Sequence, residues 1–179
     1  MYQKIDCSKY RNVFVIGDLH GCYDVLMKAL KEEGFDRSKD LVVCVGDLID
    51  RGSKNLECLG LMLEDWFVTV KGNHEQLALD AIIRPSYSTL NAWAYNGGQW
   101  FYDLEDQGLA EHLINMTKDL PYVIELNFPN NEIHKKIVVC HSDYPEDTYE
   151  YGKPVDKFDI LWSRERIDKK LKTVVKGAG

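Results

Sequence analysis

The chain has 179 residues, 45% of them hydrophobic, with a net charge of −7 and a pI of about 5.2. This composition suits one domain with a real core and argues against disorder. No basic run marks a nucleic-acid partner, and no uncharged apolar run approaches the ~20 residues that a membrane helix needs. Part of the negative charge has a functional reading, because a divalent-metal site needs clustered carboxylates.

The five cysteines, Cys7, Cys22, Cys44, Cys58 and Cys140, contain no CxxC pair. Cys44 and Cys140 lie inside apolar runs, where cysteine serves as a small hydrophobe. All five read as reduced thiols of a cytoplasmic protein. Residues 1–12 lack the apolar stretch of a signal peptide.

Taken in order, NVFVI at 12–16 reads as a buried strand, followed by a helix over 22–33 that Gly34 stops. LVVCV at 41–45 is a second buried strand, and a helix comes next over 55–64. FVTV at 67–70 is the third strand, with a helix over 75–83. This alternation implies parallel strands joined by right-handed crossovers. The middle is helical and aromatic, with Trp93, Tyr95, Trp100, Phe101 and Tyr102 read as core packing and a helix over 109–118. Strands at 122–127 and 136–140 flank the turn-rich Pro129-Asn130-Asn131 and form a hairpin. The tail begins as a helix at Arg164.

The residues directly after each strand carry the chemistry. The first strand leads into Gly17-Asp18-Leu19-His20-Gly21, the second into Gly46-Asp47-Leu48-Ile49-Asp50-Arg51-Gly52 and the third into Gly72-Asn73-His74-Glu75. The hairpin strand runs into His141-Ser142-Asp143. Ligands gather at the carboxyl ends of parallel strands, so these loops converge and bring Asp18, His20, Asp47, Asn73 and His141 together. Oxygen and nitrogen donors without thiolate suit Mn²⁺, Fe²⁺, Zn²⁺ or Ni²⁺ rather than a structural zinc. Asp47, on the central motif, is the natural bridge between two ions. His74 comes immediately after the Asn73 ligand and stands over the pair without coordinating. Arg51 points into the same crevice. His112 and His134 have no motif around them and read as ordinary residues. Asp24, Glu75 and Asp143 read as solvated charges or helix N-terminal carboxylates.

The order GDxHG, GDxxDRG, GNHE and a strand ending in His resembles the metallophosphoesterases, and the DRG and GNHE forms resemble its phosphoprotein phosphatase branch. The stretches GDLHGCY, VGDLIDRG, KGNHEQ, NGGQWF, CHSDYP, YGKPVD and LWSRERI are similar to the small bacterial and bacteriophage lambda-type serine/threonine protein phosphatases. The resemblance implies an α/β, calcineurin-like fold with two stacked mixed sheets flanked by helices, as a single domain over 1–179. It implies hydrolysis of phosphomonoesters on phosphorylated proteins or peptides, with two divalent metals, most readily Mn²⁺. Asp18, His20 and Asp47 would hold the first ion and Asp47, Asn73 and His141 the second, with a bridging water attacking phosphorus. His74 would be the general acid, oriented by Asp50, and Arg51 and Arg164 would grip the phosphoryl oxygens, with Arg166 as a substitute if the register differs. A dinucleoside polyphosphate hydrolase shares the GDxHG and GNHE framework, and a phosphoprotein-binding form without turnover is a further alternative.

The family pattern continues past Lys176-Gly177-Ala178 into a strand ending in Gly-His-Thr, whose His completes the second metal. The expectation is a domain shortened at its C-terminus, with one protein ligand fewer, weaker binding at the second metal and an exposed sheet edge that favours self-association.

Overall fold

The computed structural model describes residues 1–131, 135–146 and 148–168, and of 166 and 167 the backbone alone. The readings of His134, of the Arg166 side chain and of the segment from Lys176 onward lie outside the described residues.

Two sheets of three strands form the frame. The first orders β2 (Val13–Ile16), β3 (Leu41–Cys44) and β4 (Phe67–Thr69), all parallel. The second orders β1 (Tyr2–Asp6), β5 (Val123–Asn127) and β6 (Lys136–Cys140), with β1 parallel and β6 antiparallel to β5. Successive side chains of a strand point to opposite faces. On β3, Leu41 and Val43 therefore join Ile5, Ile124, Leu126 and Val139 between the sheets. Val42 and Cys44 face the other way, against Leu26, Leu30, Leu59 and Ala78 of the helical layer. All four β3 residues are fully buried, which explains an apolar run without alternation. On the outer face of the second sheet, Tyr122 and Val123 pack with Tyr144, Tyr149, Ile160 and Leu161.

The helices are α1 (Tyr23–Glu32), α2 (Asn55–Gly60), α3 (Asn73–Ile83), α4 (Tyr87–Tyr95), α5 (Gly108–Met116), α6 (Lys157–Trp162) and α7 (Glu165–Asp168). In α1, Leu26 and Leu30 sit one turn apart and bury together, and Gly34 beyond the end takes φ +66°. The expected helix over 55–64 is shorter, because Leu61–Leu63 tightens into a 3-10 turn. Ser86 caps α4 by accepting from Thr89 N at 3.1 Å, and Asp156 caps α6 by accepting from Phe158 N at 2.7 Å.

Strand β1 was not legible in the sequence. Only Ile5 of YQKID is buried, so this edge strand lacks a run of apolar residues. Its register against β5, Tyr2 opposite Val123 through Asp6 opposite Asn127, supplies the pairing that its composition does not advertise.

Asp40 ties the loop after α1 to the segment that leads into β2. Its buried carboxylate accepts from Arg11 Nε at 2.9 Å, Asn12 N at 3.1 Å and Asp36 N at 2.8 Å, and from Arg11 Nη2. The Arg11 guanidinium holds the Asp40 carboxyl down at about 2, below its ordinary 3.8. A depressed folded-state value stabilises the fold above the ordinary pKa and loses that contribution as pH falls through the folded value. Thermal midpoints measured across acid pH should therefore fall between about pH 4 and pH 2. Asp40→Asn should lower the midpoint at neutral pH and flatten that acid slope.

Candidate active site

The loops after β2 and β3 are zipped together by backbone. Leu19 N and His20 N both donate to Asp47 O, at 3.0 and 2.8 Å, and Gly21 N donates to Leu48 O at 2.9 Å. His20, Asp47, Asp50 and Arg51 all have positive φ, of 44, 52, 74 and 70°, and they are the only non-glycine residues described that do. Each such position costs on the order of 1–3 kcal/mol and persists only where its surroundings enforce it. That the four share one site identifies what the fold is holding in place.

The enforcement comes largely from Glu75 and Gly72. Glu75 is fully buried at the third position of α3 and accepts from Gly72 N at 2.8 Å, Asp47 N at 2.9 Å and Leu48 N at 2.7 Å. It is a helix N-terminal carboxylate, as one of its two readings had it, but not a solvated charge. Burial and the nearby Asp47 charge push its carboxyl upward, while the three N–H donors pull it the other way. A Cβ at Gly72 would meet Asp47 Oδ1 at 2.1 Å and Asp47 N at 2.3 Å, so only glycine lets the two loops meet. Asp24, by contrast, is the exposed first-turn charge expected, with Lys54 3.1 Å away, and His112 is exposed on α5.

The donor atoms converge. His20 Nδ1–H donates to Ile49 O at 2.9 Å and His141 Nδ1–H to Val45 O at 2.7 Å. Each bond fixes the tautomer and aims an Nε2 lone pair inward, the usual support of a metal-binding imidazole. Asp47 lies at the centre, with Oδ2 3.7 Å from His20 Nε2 and 3.8 Å from His74 Nε2, and Oδ1 3.5 Å from His141 Nε2. Two groups of donors result, His20–Asp47–His74 and Asp18–Asp47–His141, with Asp47 in both. Asp18 thus falls with His141 rather than beside His20. Asn73 Oδ1 stands 2.7 Å from His141 Nε2. With the His141 proton on Nδ1, two lone pairs face each other there, an arrangement that a cation, a proton on Nε2 or a turned amide relieves. The donor set therefore fits a divalent ion at this point.

His74, itself fully buried, donates from Nδ1–H to Asp50 Oδ2 at 2.7 Å. Asp50 is fully buried as well and accepts from Trp93 Nε1 at 3.0 Å and Trp100 Nε1 at 2.7 Å. The two tryptophans read from sequence as packing residues are thus also the hydrogen-bond donors of the Asp50 carboxylate. The NGGQWF stretch explains how. A Cβ at Gly98 would lie 2.5 Å from Trp93 Nε1, and one at Gly97, whose φ is +107°, would lie 2.9 Å from Arg51 N. The adjacent glycines were the signal that this segment closes on the site.

Arg51 Nη1 donates to His20 Nε2 at 2.8 Å and Arg51 Nη2 to His74 Nε2 at 2.9 Å. Its charge thus sits against two imidazole lone pairs, and gripping a phosphoryl group requires the side chain to turn outward. Arg164, exposed and 3.8 Å from Asp168, lines the same crevice as Asp18, Asp47, Arg51, Asn73 and His141. That crevice encloses about 410 Å³, with Trp162 on its rim.

This fold and donor set define a metal-dependent phosphoesterase. Residues 11–178 match the calcineurin-like phosphoesterase family, and the chain belongs to it. It is 47% identical over 169 residues to serine/threonine-protein phosphatase 1 of Salmonella typhimurium, a match that covers 93% of this chain and 75% of the relative. A symmetrical bis(5'-nucleosyl)-tetraphosphatase of Mannheimia succiniciproducens is 48% identical over only 64 residues, 35% of this chain and 23% of that protein. Among solved structures, a protein serine/threonine phosphatase from Saccharomyces cerevisiae superposes with a TM-score of 0.55 at 19% identity, over 87% of this chain and 47% of that one, which supports the fold. No helix among the described residues is long and apolar enough to cross a membrane.

Proposed function

We propose that this chain is a Mn²⁺-dependent serine/threonine protein phosphatase of the cytoplasm, hydrolysing phosphomonoesters on proteins or peptides. The observation that carries the reading is the sharing of Asp47 between two donor groups. In this reading Asp18, His20 and Asp47 would hold one ion, with Asp18 turning from His141 toward His20, and Asp47, Asn73 and His141 the other, with His74 left off the metals. Two such ions, when bound, supply Lewis acidity and an activated water for in-line attack. The Asp47 carboxylate is held in place by Glu75 through its own backbone N–H. Arg51 and Arg164 orient the phosphoryl oxygens by charge-assisted hydrogen bonds. Once Arg51 turns outward from His74 Nε2, His74, with Nδ1–H committed to Asp50, would carry a second proton on Nε2 and give it to the leaving oxygen.

The polyphosphatase alternative rests on a match to about a third of the chain. A panel of p-nitrophenyl phosphate, a phosphoserine peptide and diadenosine tetraphosphate separates the two readings. The expected ranking by kcat/KM puts the phosphopeptide above the dinucleotide. A marked preference for the dinucleotide would overturn the protein-phosphatase reading and leave the hydrolase reading standing.

A further inference from the structure

A second cavity, of about 500 Å³, shares no lining residue with the crevice at Asp47. Four cations line it, Lys71, Arg84, Lys118 and Lys157, against two carboxylates, Asp80 and Asp119. None of the four cations is ion-paired among the described residues. Lys71 is only 3% exposed. Its Nζ donates to Lys118 O at 3.1 Å and lies 5.3 Å from the centre of the Tyr122 ring, and Lys157 Nζ lies 5.5 Å from the same ring. An ammonium carries three donors, and a buried charge is costly unless an opposite charge answers it. Burial and Lys157 oppose that charge, and Glu75, Asp119 and Asp80 favour it only from beyond ion-pair distance. Asp80 is engaged by Gln76 Nε2 at 3.0 Å.

We propose that this cavity binds a small phosphate-bearing dianion at a site separate from the catalytic crevice. The excess of cations over carboxylates matches a dianion, and the phosphate oxygens satisfy the remaining donors of Lys71. Leu79, Ile83 and Leu120 line the same cavity and would pack against an organic group on the ligand. Lys71 is followed directly by Gly72, Asn73 and His74, so an occupant would brace the loop that presents them.

The test is calorimetric titration of the full chain, in chelator, with inorganic phosphate and with phenylphosphonate. Three proteins are compared: wild type, Arg51→Ala with Arg164→Ala, and Lys118→Gln with Lys157→Gln. The expected result is saturable binding that survives the arginine changes and weakens about tenfold or more with the lysine changes. Lys118 and Lys157 are exposed, so an unchanged thermal midpoint confirms that the lysine variant is folded. Tighter binding of phenylphosphonate assigns an organic phosphate, and equal affinity assigns free phosphate. Binding lost with the arginines and kept without the lysines, or no saturable binding at all, would overturn the proposal.

Discussion

His74→Asn should lower kcat for a phosphoserine peptide by roughly 10²–10⁴-fold, the range that a positioned general acid contributes. The loss should be much smaller for p-nitrophenyl phosphate. Nitrophenolate leaves without a proton, whereas a serine alkoxide needs one. The geometry makes this contrast specific. His74 Nδ1–H is fixed on Asp50, and Asp50 is fixed in turn by Trp93 and Trp100, so only Nε2 is left to act. Trp100→Phe removes one donor from Asp50 and should give a milder form of the same pattern. Equal losses on both substrates would show that His74 acts in binding or folding instead of protonation.

Gly72→Ala should cost about 3 kcal/mol or more in stability, at the upper end of overpacking penalties. The added Cβ would fall 2.1 Å from Asp47 Oδ1 and 2.3 Å from Asp47 N, and the second of these is backbone that cannot rotate away. Relief would pull the β4 loop from the β3 loop and strain the three hydrogen bonds to Glu75. At ~2–4 °C per kcal/mol for a chain of this size, the midpoint should drop by roughly 6–12 °C. An alanine variant that melts with the wild type would mean that the Asp47 loop is not held as described.

Much of this was legible in the sequence because it is local. Strands β2 and β3 are continuous apolar runs and β4 is a short one ending in Thr69, although β2, expected buried, leaves Val15 half exposed. Each is followed within a few residues by its donors, so the order of motifs also gives the place where they meet. The β5–β6 hairpin declared itself through its turn residues. What escaped is non-local. Trp93 and Trp100 reach Asp50 across 43 and 50 residues, and no periodicity records such a bond. Glu75 bonds Asp47 and Leu48 from a helix start where an exposed carboxylate is equally at home. Strand β1 owes its existence to β5 rather than to its own composition.

Hydrolysis of the phosphoserine peptide as a function of Mn²⁺ concentration, for the wild type and Asp47→Asn, tests the two-metal claim most directly. The account predicts activity that saturates with Mn²⁺, disappears in chelator and is lost in the Asp47 variant. No hydrolysis at any Mn²⁺ concentration, from wild-type protein that melts cooperatively, would contradict it and turn the crevice into a phosphoprotein-binding site without turnover.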